Sequence, residues 1–135
     1  MLDTNVLSEM RKRERASRHV RAWFDSAVAD ELYTSVMVLG ELRQGVESKR
    51  RTDLATAVSL ERWLHALEER YADRILAVDA QIADQWGRLN AGGRLPLVDG
   101  LLAATAFVHD MTVVTRNTRD FETTGVDVVD PFDPG

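Results

Sequence analysis

Short runs rich in apolar and β-branched residues recur along this chain, at residues 1–2, 32–34, 75–78, 112–115 and 126–129. Most are separated by segments whose apolar residues return at helical spacing. Strands divided by helices pair in parallel and place the helices on the faces of the sheet. Right-handed crossovers then predict an α/β fold, a three-layer sandwich around a mostly parallel five-stranded sheet. Such sheets bind ligands beyond the carboxyl ends of their strands. The residues that follow each strand are therefore the ones to inspect.

The helices can be placed by their caps and stripes. Asn5 is expected to cap a helix beginning at Val6 that fades in the basic run at residues 11–15. A second spans about 17–29 with Val20, Trp23, Phe24 and Ala27 at helical spacing. Ser35 caps a helix over 36–48, and Leu39, Leu42 and Val46 form its stripe. A long helix over 53–70 turns Leu54, Val58, Leu64 and Leu67 inward, with Glu61 on the same face. Asp79 caps the next helix, which Gly92 and Gly93 end. Residues 97–109 are apolar on nearly every side, the mark of a central helix covered by its neighbours.

The 135 residues fit one domain, 1–135, with no repeat, linker or low-complexity stretch. The absence of cysteine excludes disulfides, thiolate metal sites and a cysteine nucleophile, and suits a reducing cytoplasm. No apolar run reaches the roughly 20 residues that cross a bilayer, and no leader precedes the first strand, so a soluble chain is expected. The net charge of −5 argues against a protein held on nucleic acid by charge alone. That charge is uneven. Residues 1–52 carry 10 Lys and Arg against 8 Asp and Glu, whereas residues 53–135 carry 7 against 14. Arg11–Arg15, Lys49–Arg51, Arg116 and Arg119 can serve as solvated surface or as a phosphate-contacting rim.

Four acids have a claim to chemistry. Asp3 follows the first strand, and taken alone it is a turn or cap residue. Asp99 heads the most apolar helix, where alone it reads as an N-cap. Glu41 lies inside a helix, so it caps nothing; it borders the apolar stripe between Gly40 and Gly45. Each glycine weakens the helix by about 0.5–1 kcal/mol relative to alanine, which suggests that something must approach that face. An ion pair with an arginine is the other account of Glu41. Asp120 sits in a polar loop after a strand, beside Arg116, Asn117 and Arg119. Four acids meeting in one crevice raise one another's pKa, and a hard divalent cation relieves that repulsion. Mg²⁺ or Mn²⁺ on carboxylates activates water and steadies charge on phosphate oxygens, which points to phosphodiester hydrolysis.

These segments also carry a resemblance. Met1-Leu2-Asp3-Thr4-Asn5-Val6-Leu7-Ser8-Glu9, Ser35-Val36 through Gly40-Glu41-Leu42, Pro96-Leu97-Val98-Asp99 and Thr115-Arg116-Asn117 with Asp120-Phe121 resemble the PIN-domain family. Within it, the chain resembles the VapC/FitB-like toxins of toxin–antitoxin modules. The resemblance implies a sheet ordered 3-2-1-4-5 and a ribonuclease toxin that cuts RNA with metal-activated water. It also implies a homodimer and a VapB-like antitoxin that blocks the site. Asp3 and Asp99 match the main metal ligands. Glu41 and Asp120 match the acids that bind a second ion or orient water. Thr4 matches the hydroxyl beside the first acid, Thr115 and Asn117 the polar residues after the fourth strand, and Arg116 a rim position. Two departures stand out: only Met1 and Leu2 precede Asp3, and Asn117 occupies a place where many PIN domains carry an acid.

Competing classes fare worse. A receiver domain needs a lysine after its fifth strand, and Lys12 and Lys49 are the only lysines. A haloacid-dehalogenase-type phosphatase needs a second Asp where Asn5 stands. A catalytically inactive binding module remains the non-enzyme alternative, with all four acids arguing against it. His19, His65 and His109 are scattered surface or helix-end residues, and Trp23, Trp63 and Trp86 are packing or interface anchors. Leu7, Met10, Trp23 and Phe24 are expected to form the apolar surface on which an antitoxin helix docks.

Overall fold

The computed structural model describes residues 1–134. Seven helices and four short strands are found among them. The helices are α1 (Thr4–Met10), α2 (Arg18–Ser26), α3 (Val36–Arg50), α4 (Leu54–Arg70), α5 (Ala80–Leu89), α6 (Leu97–His109) and α7 (Thr118–Glu122). The strands are β1 (Thr34–Ser35), β2 (Ile75–Leu76), β3 (Val113–Val114) and β4 (Val128–Val129). Two parallel pairs form: β1 with β2, and β3 with β4. Leu2 lies between them. Its N–H donates to the Tyr33 carbonyl at 2.7 Å, and it bridges in parallel to Val114. The α/β alternation read from sequence is present, while regular strand pairing stops at these two pairs and the Leu2 bridge.

Several boundaries differ from the expectation, each for a local reason. The first helix starts at Thr4, and Asp3 rather than Asn5 is its cap, accepting from the Thr4 N–H at 2.7 Å. The strand expected at 32–34 begins at Thr34, because the Leu32 carbonyl is taken by the Arg74 guanidinium at 2.7 Å. The last strand begins at Val128 rather than Val126, since the Val126 N–H is turned onto the Thr124 hydroxyl at 3.2 Å. Pro96 occupies the cap of α6, its carbonyl accepting from Gly100 N–H at 2.9 Å, so Asp99 is the third helical residue and caps nothing. Ser35 and Asp79 cap as expected, accepting from Met37 N–H and Ile82 N–H.

α4 faces the core with Ala57, Leu64 and Leu67; Leu54 and Val58 point outward, against expectation. Its phase is set at one end by the Asp53 cap and along its edge by Glu61, which pairs with Arg43 at 2.6 Å and Arg50 at 3.0 Å across to α3. The core joins Leu2, Val6 and Leu7 of the N-terminus to Val38, Leu42 and Val46 of α3, Leu64 of α4, Leu102 and Ala106 of α6, Val113, and Phe121 of α7. α6 is central over Leu102–Ala106, but Leu97 and Phe107 at its two ends are exposed. α5 packs on α6 through one close approach: a Cβ on Gly100 would stand 2.9 Å from Trp86 Nε1. The indole N–H there is buried and makes no hydrogen bond. His65 and His109 lie at the surface, as read.

Candidate active site

Asp3 is delivered by the end of the buried segment Met1–Leu2, and its carboxylate is almost wholly enclosed. Oδ1 accepts from the Thr4 N–H at 2.7 Å, and Oδ2 accepts from the Thr115 hydroxyl at 2.8 Å. Both bonds favour its ionised form. Burial works the other way and dominates, so its pKa is raised, with Glu41 and Asp120 adding repulsion.

Glu41 reaches the same place from α3. It is half-buried and has no arginine partner; Oε1 accepts from the Thr4 hydroxyl at 2.6 Å instead. Thr4 thus links the first acid to the second, its N–H on Asp3 and its hydroxyl on Glu41. Asp99, one turn into α6, is pushed up to about 7. Desolvation is the leading cause, followed by a hydrogen bond with Asp120 and by the charges of Asp3, Asp120 and Glu41. Asp120 comes from the first turn of α7, where buried Phe121 anchors the helix beneath it. Asp99 therefore feels the charge of the other three acids, each of which comes from a separate stretch of sequence.

The site is an open bowl of about 530 Å³ lined by Asp3, Thr4, Asn5, Glu41, Gln44, Gly45, Ser48, Asp99 and Asn117. Among the described residues, no three His, Asp or Glu side chains close into a ready metal cage. Among the described residues, no Lys or Arg is ion-paired with any of the four acids. Of the supporting residues, Thr115 is fully buried against Asp3, and Asn117 lines the bowl. Arg116 turns its guanidinium over the Phe132 ring at 4.5 Å, outside the bowl's lining, while its N–H donates to Asn5 Oδ1 at 3.1 Å.

Sequence reasoning missed three lining residues. Gln44 and Ser48 stand three and seven residues after Glu41 on α3, so helical spacing from that acid would have found them. Asn5 was read as a cap; its side chain instead donates to Thr115 Oγ1 at 3.2 Å.

A second concavity, about 680 Å³, lies between α1, α2 and α4. Leu7, Met10, Phe24, Leu32, Trp63 and Tyr71 supply its apolar lining, with Arg11, Arg13, Arg21, Arg70 and Arg74 around it. Leu7, Met10 and Phe24 were expected there; Trp63 takes the place foreseen for Trp23. No helix among the described residues is long and apolar enough to cross a membrane.

Known proteins are similar to this chain over nearly its whole length. The chain is 37% identical over 139 residues to the VapC ribonuclease Y4jK of Sinorhizobium fredii, an alignment covering 99% of this chain and 98% of that protein. It is 33% identical to toxin FitB of Neisseria gonorrhoeae, over 98% of this chain and 97% of that one. Among solved structures, FitAB bound to an IR36 DNA fragment superposes with a TM-score of 0.87 at 31% identity, covering 99% and 96% of the two chains. FitAcB from Neisseria gonorrhoeae gives 0.85 at 34% identity, covering 97% and 96%. The PIN-domain family model matches residues 1–126, a span that contains all four acids, and the chain belongs to the PIN-domain family.

Proposed function

We propose that this chain is a metal-dependent ribonuclease toxin that hydrolyses RNA phosphodiester bonds and is silenced by a VapB-like antitoxin. The observation that carries the reading is an open bowl lined by Asp3, Glu41 and Asp99, with Asp120 close by, in which desolvation first and the other three carboxylates second hold Asp99 at about 7. The donors are all oxygen and anionic. That set fits Mg²⁺ or Mn²⁺ and fits softer ions poorly. Asp3 and Asp99 would hold the ion, with Glu41 and Asp120 binding a second or orienting water. Bound there, the ion supplies an activated water and positive charge for the phosphate oxygens.

The chain's own groups do the rest. The Thr4 N–H and the Thr115 hydroxyl keep Asp3 an acceptor despite its burial. The Thr4 hydroxyl aims Glu41. Asp120, beside Asp99, is assigned the orienting of the attacking water. The bowl is open to solvent, which suits a splayed single strand, so unpaired loops of tRNA or ribosomal RNA are the substrates proposed. In this reading the fold is a single three-layer domain over 1–135, its strands acting as one sheet in the order β2-β1-Leu2-β3-β4, which is the order 3-2-1-4-5 when Leu2 is counted as the first strand. Gly135 lies outside the described residues. The cytoplasm, where RNA and antitoxin are made, is its place of action.

The antitoxin's amphipathic segment is assigned to the cleft between α1, α2 and α4, whose arginines suit acidic residues flanking an apolar face. An arginine from that partner, pairing bidentately with the acids, would replace the cation. A homodimer sets two such sites side by side for a paired antitoxin.

The test uses purified chain and total RNA. Cleavage with Mg²⁺ or Mn²⁺, its loss in EDTA, and its loss in Asp3→Asn and Asp99→Asn variants that still melt cooperatively are expected. Undiminished cleavage in excess EDTA overturns the mechanism. No cleavage under any metal, with RNA still bound, would favour the inactive binding module.

A further inference from the structure

Among the described residues, two side chains donate to Asp3 Oδ2: the Thr115 hydroxyl at 2.8 Å and, at a long 3.4 Å, the Asn5 amide. A hydroxyl has one proton to give and two lone pairs to receive with. Both lone pairs of Thr115 are in use. Asn5 Nδ2 donates to one at 3.2 Å, and the Asn117 N–H donates to the other at 3.0 Å. The single proton is left with one direction, toward Asp3. Without those two donors the hydroxyl could rotate, and its oxygen could face the carboxylate.

The other end of the Asn5 amide is engaged as well. Oδ1 accepts from the Arg116 N–H at 3.1 Å. One side chain, two residues after Asp3 in the first turn of α1, therefore grips residues 115 and 116 together. That turn leads directly to Asn117 at the bowl's edge and to Asp120 in α7. We propose that Asn5 is a positioning residue: its amide locks the Thr115 hydroxyl rotor onto Asp3 and ties the 115–117 turn to the helix that carries the first acid. Its own reach to Asp3 Oδ2 is the longer bond, 3.4 Å against 3.2 Å to Thr115, so it acts chiefly through Thr115 as a positioning residue.

The proposal separates from a merely structural role by non-additivity. Mn²⁺ is titrated calorimetrically into the full chain as wild type, Asn5→Ala, Thr115→Val, the double variant and Thr115→Ser, each first shown to melt cooperatively. Asn5→Ala and Thr115→Val should each weaken Mn²⁺ binding by about tenfold, the order expected for one bond to a charged group. The double variant should bind no worse than Thr115→Val, within about twofold, and Thr115→Ser should bind within about twofold of wild type. Losses that multiply in the double variant overturn the lock.

A second measurement needs neither metal nor RNA. In wild type the buried, fixed hydroxyl of Thr115 should give a slowly exchanging proton resonance that Asn5→Ala abolishes; its absence from wild type overturns the proposal. Where Asn5→Ala does not fold, Asn5→Ser is read in its place, and a resonance that survives it overturns the proposal. The calorimetric arm alone rests on the metal-binding reading. A wild type that shows the resonance yet binds no Mn²⁺ and cuts no RNA keeps the lock and ends the ribonuclease reading.

Discussion

Asp99→Asn should make the metal-free protein more stable, and only above acidic pH. The carboxyl ordinarily ionises near 3.8 but holds its proton up to about 7 in the fold. Between those values the folded protein binds a proton that the unfolded chain has released. Stability therefore falls as pH rises through that window, and the penalty is complete above about 7. A difference of about three units corresponds to about 4 kcal/mol for a group shut away from solvent. Asp99 is only half-buried, so screening reduces that to about 1–2 kcal/mol.

One effect opposes the gain. Asp99 lies in the first turn of α6, where a negative charge is favoured by about 0.3–1 kcal/mol, and the amide gives that up. The net should remain positive, a rise in melting temperature of roughly 2–6 °C at pH 8 in EDTA. Thermal melts of both proteins from pH 4 to 8.5 would show it. The two curves should converge near pH 4 and part progressively toward pH 7. Mn²⁺ should raise the melting temperature of wild type and leave the variant almost unmoved. A variant less stable than wild type by the same amount at every pH would refute the reasoning, since it would mean the ionised carboxylate is welcome where it stands.

Phe121→Ala should cost about 3–5 kcal/mol by denaturant titration, because the ring is fully buried beneath α7, and the folded fraction should cleave poorly as Asp120 loses its support. Glu61→Gln should lower the melting temperature slightly, an effect erased by high salt, and leave cleavage intact; its partners Arg43 and Arg50 hold α3 to α4 and take no part in the bowl.

The alternation of apolar runs and helical stripes made the parallel α/β arrangement legible, because each element had to bury its own face. Strand lengths were not legible. Side chains intercept the backbone groups that a longer ladder would use, Arg74 at Leu32 and Thr124 at Val126, and periodicity carries no trace of such captures. Asp3, Asp99 and Asp120 were found by position near strand ends, Glu41 by its place inside a helix beside two glycines, and all four by resemblance; Asp99 lies within reach of the charge of the other three. The competing readings separated only in three dimensions. Asp99 is no cap because Pro96 is, Glu41 meets a threonine where an arginine was the alternative, and Asp3 serves both as cap and as site. Asn5 shows the limit most clearly. Its bonds span about 110 residues of sequence, and nothing local distinguishes that clamp from a cap.

Gly45 puts the functional reading of α3 to its sharpest test. The two glycines beside Glu41 implied a close neighbour, yet a Cβ at Gly40 or Gly45 would meet nothing within 4 Å. No contact within the chain requires either glycine. Alanine at each position should therefore stabilise the helix by about 0.5–1 kcal/mol. The two sites differ in one respect: Gly45 lines the acidic bowl and Gly40 does not. A methyl group at 45 narrows the floor where an RNA backbone must lie beside Glu41. Gly40→Ala should gain stability and keep full cleavage. Gly45→Ala should gain similar stability and lose cleavage, chiefly through a raised KM for a single-stranded substrate. Equal activity in the two variants would show that the open face of α3 is not where the substrate passes, and the glycine at 45 would then have no functional account.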